Sequence, residues 1–386
     1  MKEKRKQIPK SLRDKILKNF GYACSFCNIA FVTPELHHVK FFSLGGSDDE
    51  ENLIPVCPSC HALYPHKLQD VFDNRMLNMI KDVRLSLISH ERDIEDNIKH
   101  RNFLKAACLL LCEDVRDLVL LFGRYAKFVV LANRVMNGLG TGNPSELVLK
   151  SRVIAFAGEM ALYIDREKQY VGILEEYIKN LKDSSELSLI SAHAKLILAR
   201  LYGRTGHHNE EKRLIADSYP STGDALSPAV LEWNFRNLAF LNKNKLYDKV
   251  LDLSESFQSD SSLAINGITV TNIMSEIARA LLFTNEKERA QVFFKKVLTD
   301  STARFHRRGI LITSLFSADT AILLKDYEIA AKYYLLANQF PDITKAKEKM
   351  RLEEIRLKLL EVMGADDLNK ITSKGIKDFV KLWKTD

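Results

Sequence analysis

Two pairs of cysteines, Cys24-x-x-Cys27 and Cys57-x-x-Cys60, carry the clearest chemistry in the chain. Four thiolates at this spacing suit a closed tetrahedral Zn²⁺ site. The 29 residues between the pairs exceed the ~15 to 20 of a simple zinc ribbon, which leaves room for a second task. The insertion contains Glu35-Leu36-His37-His38-Val39, the turn Gly45-Gly46-Ser47-Asp48 and Asn52-Leu53, and His61 directly follows the last cysteine. An imidazole, titrating near ~6.5, can take a proton at neutral pH or ligate a divalent ion. An ion held by only two protein ligands keeps open positions for substrate oxygens. An asparagine amide can fix an imidazole or a loop carbonyl without adding charge. Adjacent strand residues face opposite sides, so His37 and His38 cannot share one ion unless the strand twists or ends there, and they read as having distinct roles.

The elements that must position these groups can be read from spacing. Lys10 to Phe20 places Leu12, Ile16, Leu17 and Phe20 at helical intervals, and Gly21 stops the run. Cys24 to Cys60 is turn-rich and β-like, and the acidic run Asp48 to Glu51 reads as a solvated loop. Four of six cysteines, four of ten histidines and five of nine prolines fall in the first 66 residues, marking a separate unit. From Leu68 the pattern is helical. Val71 to Leu87 and Arg92 to Leu111 read as two linking helices, with Cys108 and Cys112 as small core residues. Gly138 to Pro144 (GLGTGNP) breaks the pattern, giving expected units at 1–67, 68–143 and 144–386.

The last unit repeats. Tyr170, His208, Tyr247, Lys287 and Tyr327 follow one another at steps of 38, 39, 40 and 40 residues. Nine residues before each lie Ala161, Ala199, Leu238, Ala278 and Ala318, and three after each lie Ile173, Glu211, Val250, Ala290 and Ala330. Small residues at such places let two helices approach closely, although Glu211 and Leu238 fit poorly. His193, His207 and His208 read as surface or packing residues.

Composition narrows the classes. The 386 residues are 46% hydrophobic and 28% charged, with only sixteen glycines and nine prolines. That excludes wholesale disorder and favours long helices over a many-turned β fold. No uncharged run is long and apolar enough for a membrane span. The charged start, MKEKRKQIPK, lacks the apolar stretch of a signal peptide, so a cytoplasmic location with reduced thiols is expected. The net charge is +7, most of it in a basic N-terminal arm that includes Lys4, Arg5, Lys6, Lys10 and Arg13. Such an arm suits contact with a polyanion, or serves only as a solubilising tail.

The string ELHHVKFFSLGGSDDEENLIPVCPSCH resembles the HNH endonuclease family in its cysteine-containing form, over about Ile8 to Lys67. The resemblance implies a ββα-metal fold and hydrolysis of phosphodiester bonds in nucleic acid, with double-stranded DNA the leading substrate. It implies that His37 and His61 bind a catalytic divalent ion (Mg²⁺, Mn²⁺ or another), that His38 is the general base, and that Asn52 orients the loop and that base. The four cysteines would hold a structural zinc, and His66 would be a phosphate contact or an extra ligand. Arg152 to Pro341 resembles tetratricopeptide-type repeats, although their unit is usually 34 residues; a generic α-solenoid or irregular bundle is the other reading. The expected fold is therefore mostly α: a small zinc-stapled HNH head followed by a helical-repeat tail. Stacked repeats present a concave groove for a protein partner or for self-association. The pairing of a nuclease head with a repeat tail resembles arrangements in bacterial and phage conflict systems, including anti-phage defence. A non-catalytic zinc-knuckle adaptor, whose repeats scaffold a complex, is the competing class.

Overall fold

The computed structural model describes residues 8–28, 30, 34–41, 44–62, 74–140, 144–164, 166–180, 188–218, 228–258, 268–303, 306–340 and 346–374. Pro9, with its φ fixed, leads into helix α1 (Lys10–Asn19), which buries Ile16 and Leu17. Strand β1 (Glu35–His38) pairs antiparallel with β2 (Leu53–Val56), His37 opposite Ile54 and His38 opposite Leu53. All four residues of β2 are buried. Cys57 and Pro58 then start the single-turn helix α2 (Pro58–His61), proline occupying a position where its missing N–H costs nothing. Ile16, Phe20, Phe26, Val39, Leu53, Ile54 and Val56 form the head's core.

That core continues without a gap into helix α3 (Asn74–Lys99), through Leu77 and Ile80. The sequence suggests a break near residue 90, but α3 runs through it. Leu87, Ile88, Glu91, Ile94 and Ile98 keep one face buried, and the chain turns only at Arg101, whose φ is +58°. The helices α4 (Phe103–Leu110), α5 (Glu113–Phe122) and α6 (Tyr125–Gly138) follow. Cys108 and Cys112 are exposed rather than core residues. In α4 the buried face is taken by Ala106, Ala107 and Leu110, and Cys108 falls on the opposite side of the turn.

The tail is a solenoid-like stack of helix pairs. The first helices of the pairs are α7 (Pro144–Ala161), α9 (Ser188–Thr205), α11 (Pro228–Lys243), α13 (Ile268–Phe283) and α15 (Arg307–Leu323). Their partners are α8 (Glu167–Asn180), α10 (His208–Ala216), α12 (Tyr247–Gln258), α14 (Lys287–Ala303) and α16 (Tyr327–Ala337), and α17 (Ala346–Met363) and α18 (Ala365–Lys374) close the described chain. Four of the hairpin turns use one device. A single left-handed residue, Gly206, Lys245, Asn285 or Lys325, precedes an N–H of the next residue bonded five residues back, as in Leu246 N to Leu241 O and Asp326 N to Ala321 O. Ala161, Ala199, Leu238, Ala278 and Ala318 are all buried, so Leu238 fits despite its size. Glu211 is buried too, and Gly203 makes room for it: a Cβ there would sit 2.1 Å from a Glu211 carboxylate oxygen. Lys243 Nζ supplies the opposite charge at 2.8 Å.

A buried ionic network ties α5 to the tail. Arg116 donates twice to Glu159, at 2.9 and 2.8 Å, while Arg236 pairs with Glu232 and lies 3.6 Å from Glu159. Burial alone would raise both carboxyls, yet Arg116 and Arg236 hold them below the usual carboxylate range. Glu159→Gln is expected to destabilise the chain by about 3–5 kcal/mol, because it leaves guanidinium charge buried without its partner. Both folded-state values lie below the unfolded ones. The stabilisation is therefore complete above roughly pH 4.3 and is lost as pH falls through the folded values. Urea melts at pH 7 and pH 3.5 should show the gap between wild type and variant shrinking in acid.

Candidate functional site

The cysteine cluster is built by two turns that meet across the head. Asn28, at φ +60°, donates its N–H to Cys24 O and closes the first turn; Cys57 caps α2, its Sγ accepting from Cys60 N at 3.4 Å. Cys57 N donates in turn to Cys24 Sγ at 3.3 Å. The four sulfurs lie within 4.8 Å of one another. Zinc–sulfur bonds of ~2.3 Å at tetrahedral angles would set neighbouring sulfurs ~3.8 Å apart, and Cys27 Sγ and Cys57 Sγ are 3.8 Å apart. The hydrogen bond with Cys24 is the first cause that pushes the Cys57 and Cys60 thiols up. Cys24, raised by its hydrogen bond with Cys27, is lowered more by those from Cys57 and Cys60. Four crowded thiols cannot all ionise alone, whereas a soft divalent cation such as Zn²⁺ favours the thiolate of each. The residues fit zinc.

The histidines form a second centre on the hairpin. Both His37 and His38 are buried, at 4% and 5% exposure, so neither is an incidental surface residue. They face different partners, as alternation along a strand requires. His37 Nδ1 lies 3.0 Å from His61 Nε2 on α2. His38 Nε2 lies 2.7 Å from Asp48 Oδ1. His61 Nδ1 is 2.5 Å from Glu35 Oε2, and a carboxylate only accepts, so Nδ1 carries the proton and Nε2 offers a lone pair toward His37. Two adjacent ligands at ~2.1 Å from one ion are ~3.0 Å apart at a right angle. The His37–His61 pair has that spacing.

Asn52 controls the loop between the strands. Its Oδ1 accepts from Lys40 N at 2.7 Å, and its Nδ2 donates to Lys40 O at 3.0 Å and to Ser47 O at 2.8 Å. Gly46 is required beside it, since a Cβ there would sit 1.9 Å from Lys40 O. The clamp shapes the loop that delivers Asp48 to His38. From outside, Lys81 of α3 donates to Glu50 O and Glu51 O at 2.8 and 2.5 Å, and Lys15 of α1 pairs with the Glu50 carboxylate at 2.6 Å.

Residues 24–65 match the HNH endonuclease family model. No curated protein matches the chain. The match spans both cysteine pairs and the histidine hairpin, so the head is similar to the HNH endonucleases, a class that acts on nucleic acid, and carries four cysteines poised for zinc. Among the described residues no helix is long and apolar enough to cross a membrane.

The sequence-selected residues of the HNH head divide cleanly. Cys24, Cys27, Cys57 and Cys60 converge on one centre; His37 and His61 converge on another, with His38 and Asn52 beside it. Lys10 is exposed on α1, and Arg13 donates to Pro34 O, which ties α1 to the start of β1. Lys4, Arg5, Lys6 and His66 lie outside the described residues. Two residues were not singled out in advance. Glu35 had a signal, standing two places before His37 and therefore on the same strand face. Asp48 reads in sequence as part of a solvated loop, yet the closed hairpin brings it onto His38. Asp48→Asn is expected to lower kcat about 10- to 100-fold with little change in KM and in zinc content, the usual cost of removing an imidazole's orienting carboxylate. Steady-state cleavage kinetics with metal analysis check this; an unchanged kcat would make the contact incidental.

Proposed function

We propose that the chain is a metal-dependent endonuclease of the HNH type, whose head hydrolyses phosphodiester bonds of nucleic acid, with double-stranded DNA the first candidate. One observation carries the reading: an ion-ready pair, His37 Nδ1 and His61 Nε2 at 3.0 Å, stands beside a separate acid–imidazole pair, His38 and Asp48 at 2.7 Å, on one hairpin. His37 and His61 would hold a divalent ion, which when bound supplies positive charge for the phosphate and leaving oxygens. Asp48 accepts from His38 Nε2–H, so Nδ1 is the atom that takes the proton from the attacking water. Glu35 keeps His61 in the ligating tautomer. Asn52 holds the loop, and through it Asp48. The cysteine site holds zinc and supports folding rather than chemistry.

In the same reading the tail is of tetratricopeptide type and binds a protein partner or a second copy through its inner face. An unrestrained nuclease damages its host, so the tail's task is targeting or restraint, as in an anti-phage system of the bacterial cytoplasm. Lys10 and the arm before it add affinity for phosphates without reading sequence. The test is cleavage of plasmid DNA, linear duplex, single-stranded DNA and RNA in Mg²⁺ and Mn²⁺, with His38→Ala in parallel. Cleavage of at least one substrate by wild type alone supports the reading. Binding without cleavage under every condition returns the non-catalytic adaptor.

A further inference from the structure

Arg84 is the largest fully buried side chain among the described residues, at 0% exposure, and it belongs to α3 rather than to the segment that matches the HNH model. One of its nitrogens, Nη2, donates to Asn28 Oδ1, and its guanidinium lies 5.4 Å from the centre of the Phe122 ring. Its Nε and Nη1 have no hydrogen-bond acceptor among the described residues. A buried guanidinium with two unspent donors is costly unless an anion faces it. Its bond to Asn28 places it beside Cys27, and the groups that favour its charged form include Glu91, Cys24 and Cys27. Glu91 is already paired with Arg124, which donates to it from Nη2 at 2.7 Å. The thiolates remain.

Charge counting supports the same partner. Arg84, Arg124 and Glu91 sum to one positive charge in a largely buried site, while Zn²⁺ with four thiolates would carry two negative charges. Each needs the other. The contact is also mechanical, because Asn28, next to the ligand Cys27, is gripped twice: by Arg84 and, at 3.1 Å, by Arg124 Nη1. Arg124 sits at the joint between α5 and α6, so the knuckle touches α3 and that joint together.

We propose that Arg84 is the charge partner of the zinc–thiolate centre, and that through Asn28 and Arg124 this centre is the joint on which the helical tail docks. Metal occupancy then reaches beyond the head. Loss of zinc leaves Arg84 uncompensated and loosens α3 and the α5–α6 joint, while the distant pairs α13 to α16 stay as they are. The inference rests on the zinc reading and does not require nuclease activity.

The test uses the full chain. Zinc release to excess chelator, followed with a metal indicator, is expected to be at least tenfold faster in Arg84→Met, with partial recovery in Arg84→Lys. In the Co²⁺-loaded chain the thiolate-to-metal charge-transfer band should move to lower energy in Arg84→Met, because a sulfur that loses a neighbouring positive charge gives up its electrons more easily. Zinc release at the wild-type rate from a folded Arg84→Met chain overturns the charge pairing. Amide exchange of wild type before and after zinc removal needs no variant. Exchange at residues 113–135 should rise at least tenfold while residues 268–337 are unaffected, and unchanged exchange at 113–135 overturns the joint.

Discussion

Replacing His38 with alanine is expected to reduce DNA cleavage by ~10²- to 10⁴-fold, the range attributed to a positioned general base. The loss should appear in kcat, since the substitution leaves Lys10 and the other basic residues proposed to contact phosphates unchanged. Zinc content should stay at about one ion per chain, because His38 takes no part in the cysteine cluster. Folding should survive as well. The side chain is buried, but β1 is held by half-buried Leu36, by the buried Val39 that follows it and by pairing with the fully buried β2. His61→Ala is the informative companion. Its imidazole faces His37 at 3.0 Å and not Asp48, so its variant should lose apparent affinity for the catalytic ion and be partly rescued by higher Mn²⁺. A His38→Ala enzyme with full activity, or one that has lost its zinc, would reject the division of roles.

The largest effect on stability is expected at the other centre. Structural zinc in small domains is worth about 10–16 kcal/mol of apparent binding energy at neutral pH, most of which appears as folding energy. Cys57→Ala removes a sulfur and with it the cap of α2, since Cys57 Sγ accepts from Cys60 N at 3.4 Å. α2 carries His61, so cleavage should vanish together with zinc, unlike in His38→Ala. Helices α11 to α14 pack around an apolar core separate from the head's and should keep their helicity, so far-ultraviolet circular dichroism should fall by only a fraction. Limited proteolysis should instead open the segment before α3. A Cys57→Ala chain with native zinc and a protease-resistant head would show that the knuckles are not a structural metal site.

Much of this protein is written locally, and for a local reason. Ligand spacing in CxxC, strand alternation through Glu35-Leu36-His37-His38 and the helical intervals of the tail depend on neighbours a few residues apart, so they are legible before any fold is known. The recurrence near 39 residues is legible too, because each hairpin repeats the same close approach; the buried alanines and the left-handed turn residues Gly206, Lys245, Asn285 and Lys325 bear it out. Charge is different. A carboxylate or guanidinium in a sequence does not name its partner, and the partners here lie 10, 26, 43 and 56 residues away: Asp48 for His38, Glu35 for His61, Glu159 for Arg116, Asn28 for Arg84. The acidic loop therefore reads as solvated until the hairpin closes and Asn52 clamps it. Cys108 likewise reads as core until α4 shows which face it buries. The sequence by itself determined the grouping of the four cysteines and the helical recurrence, because those rest on spacing along the chain. Only the tertiary structure decided which acid serves which imidazole and that α3 braces the metal head, because those depend on desolvation and on distances between segments that meet only when the chain is folded.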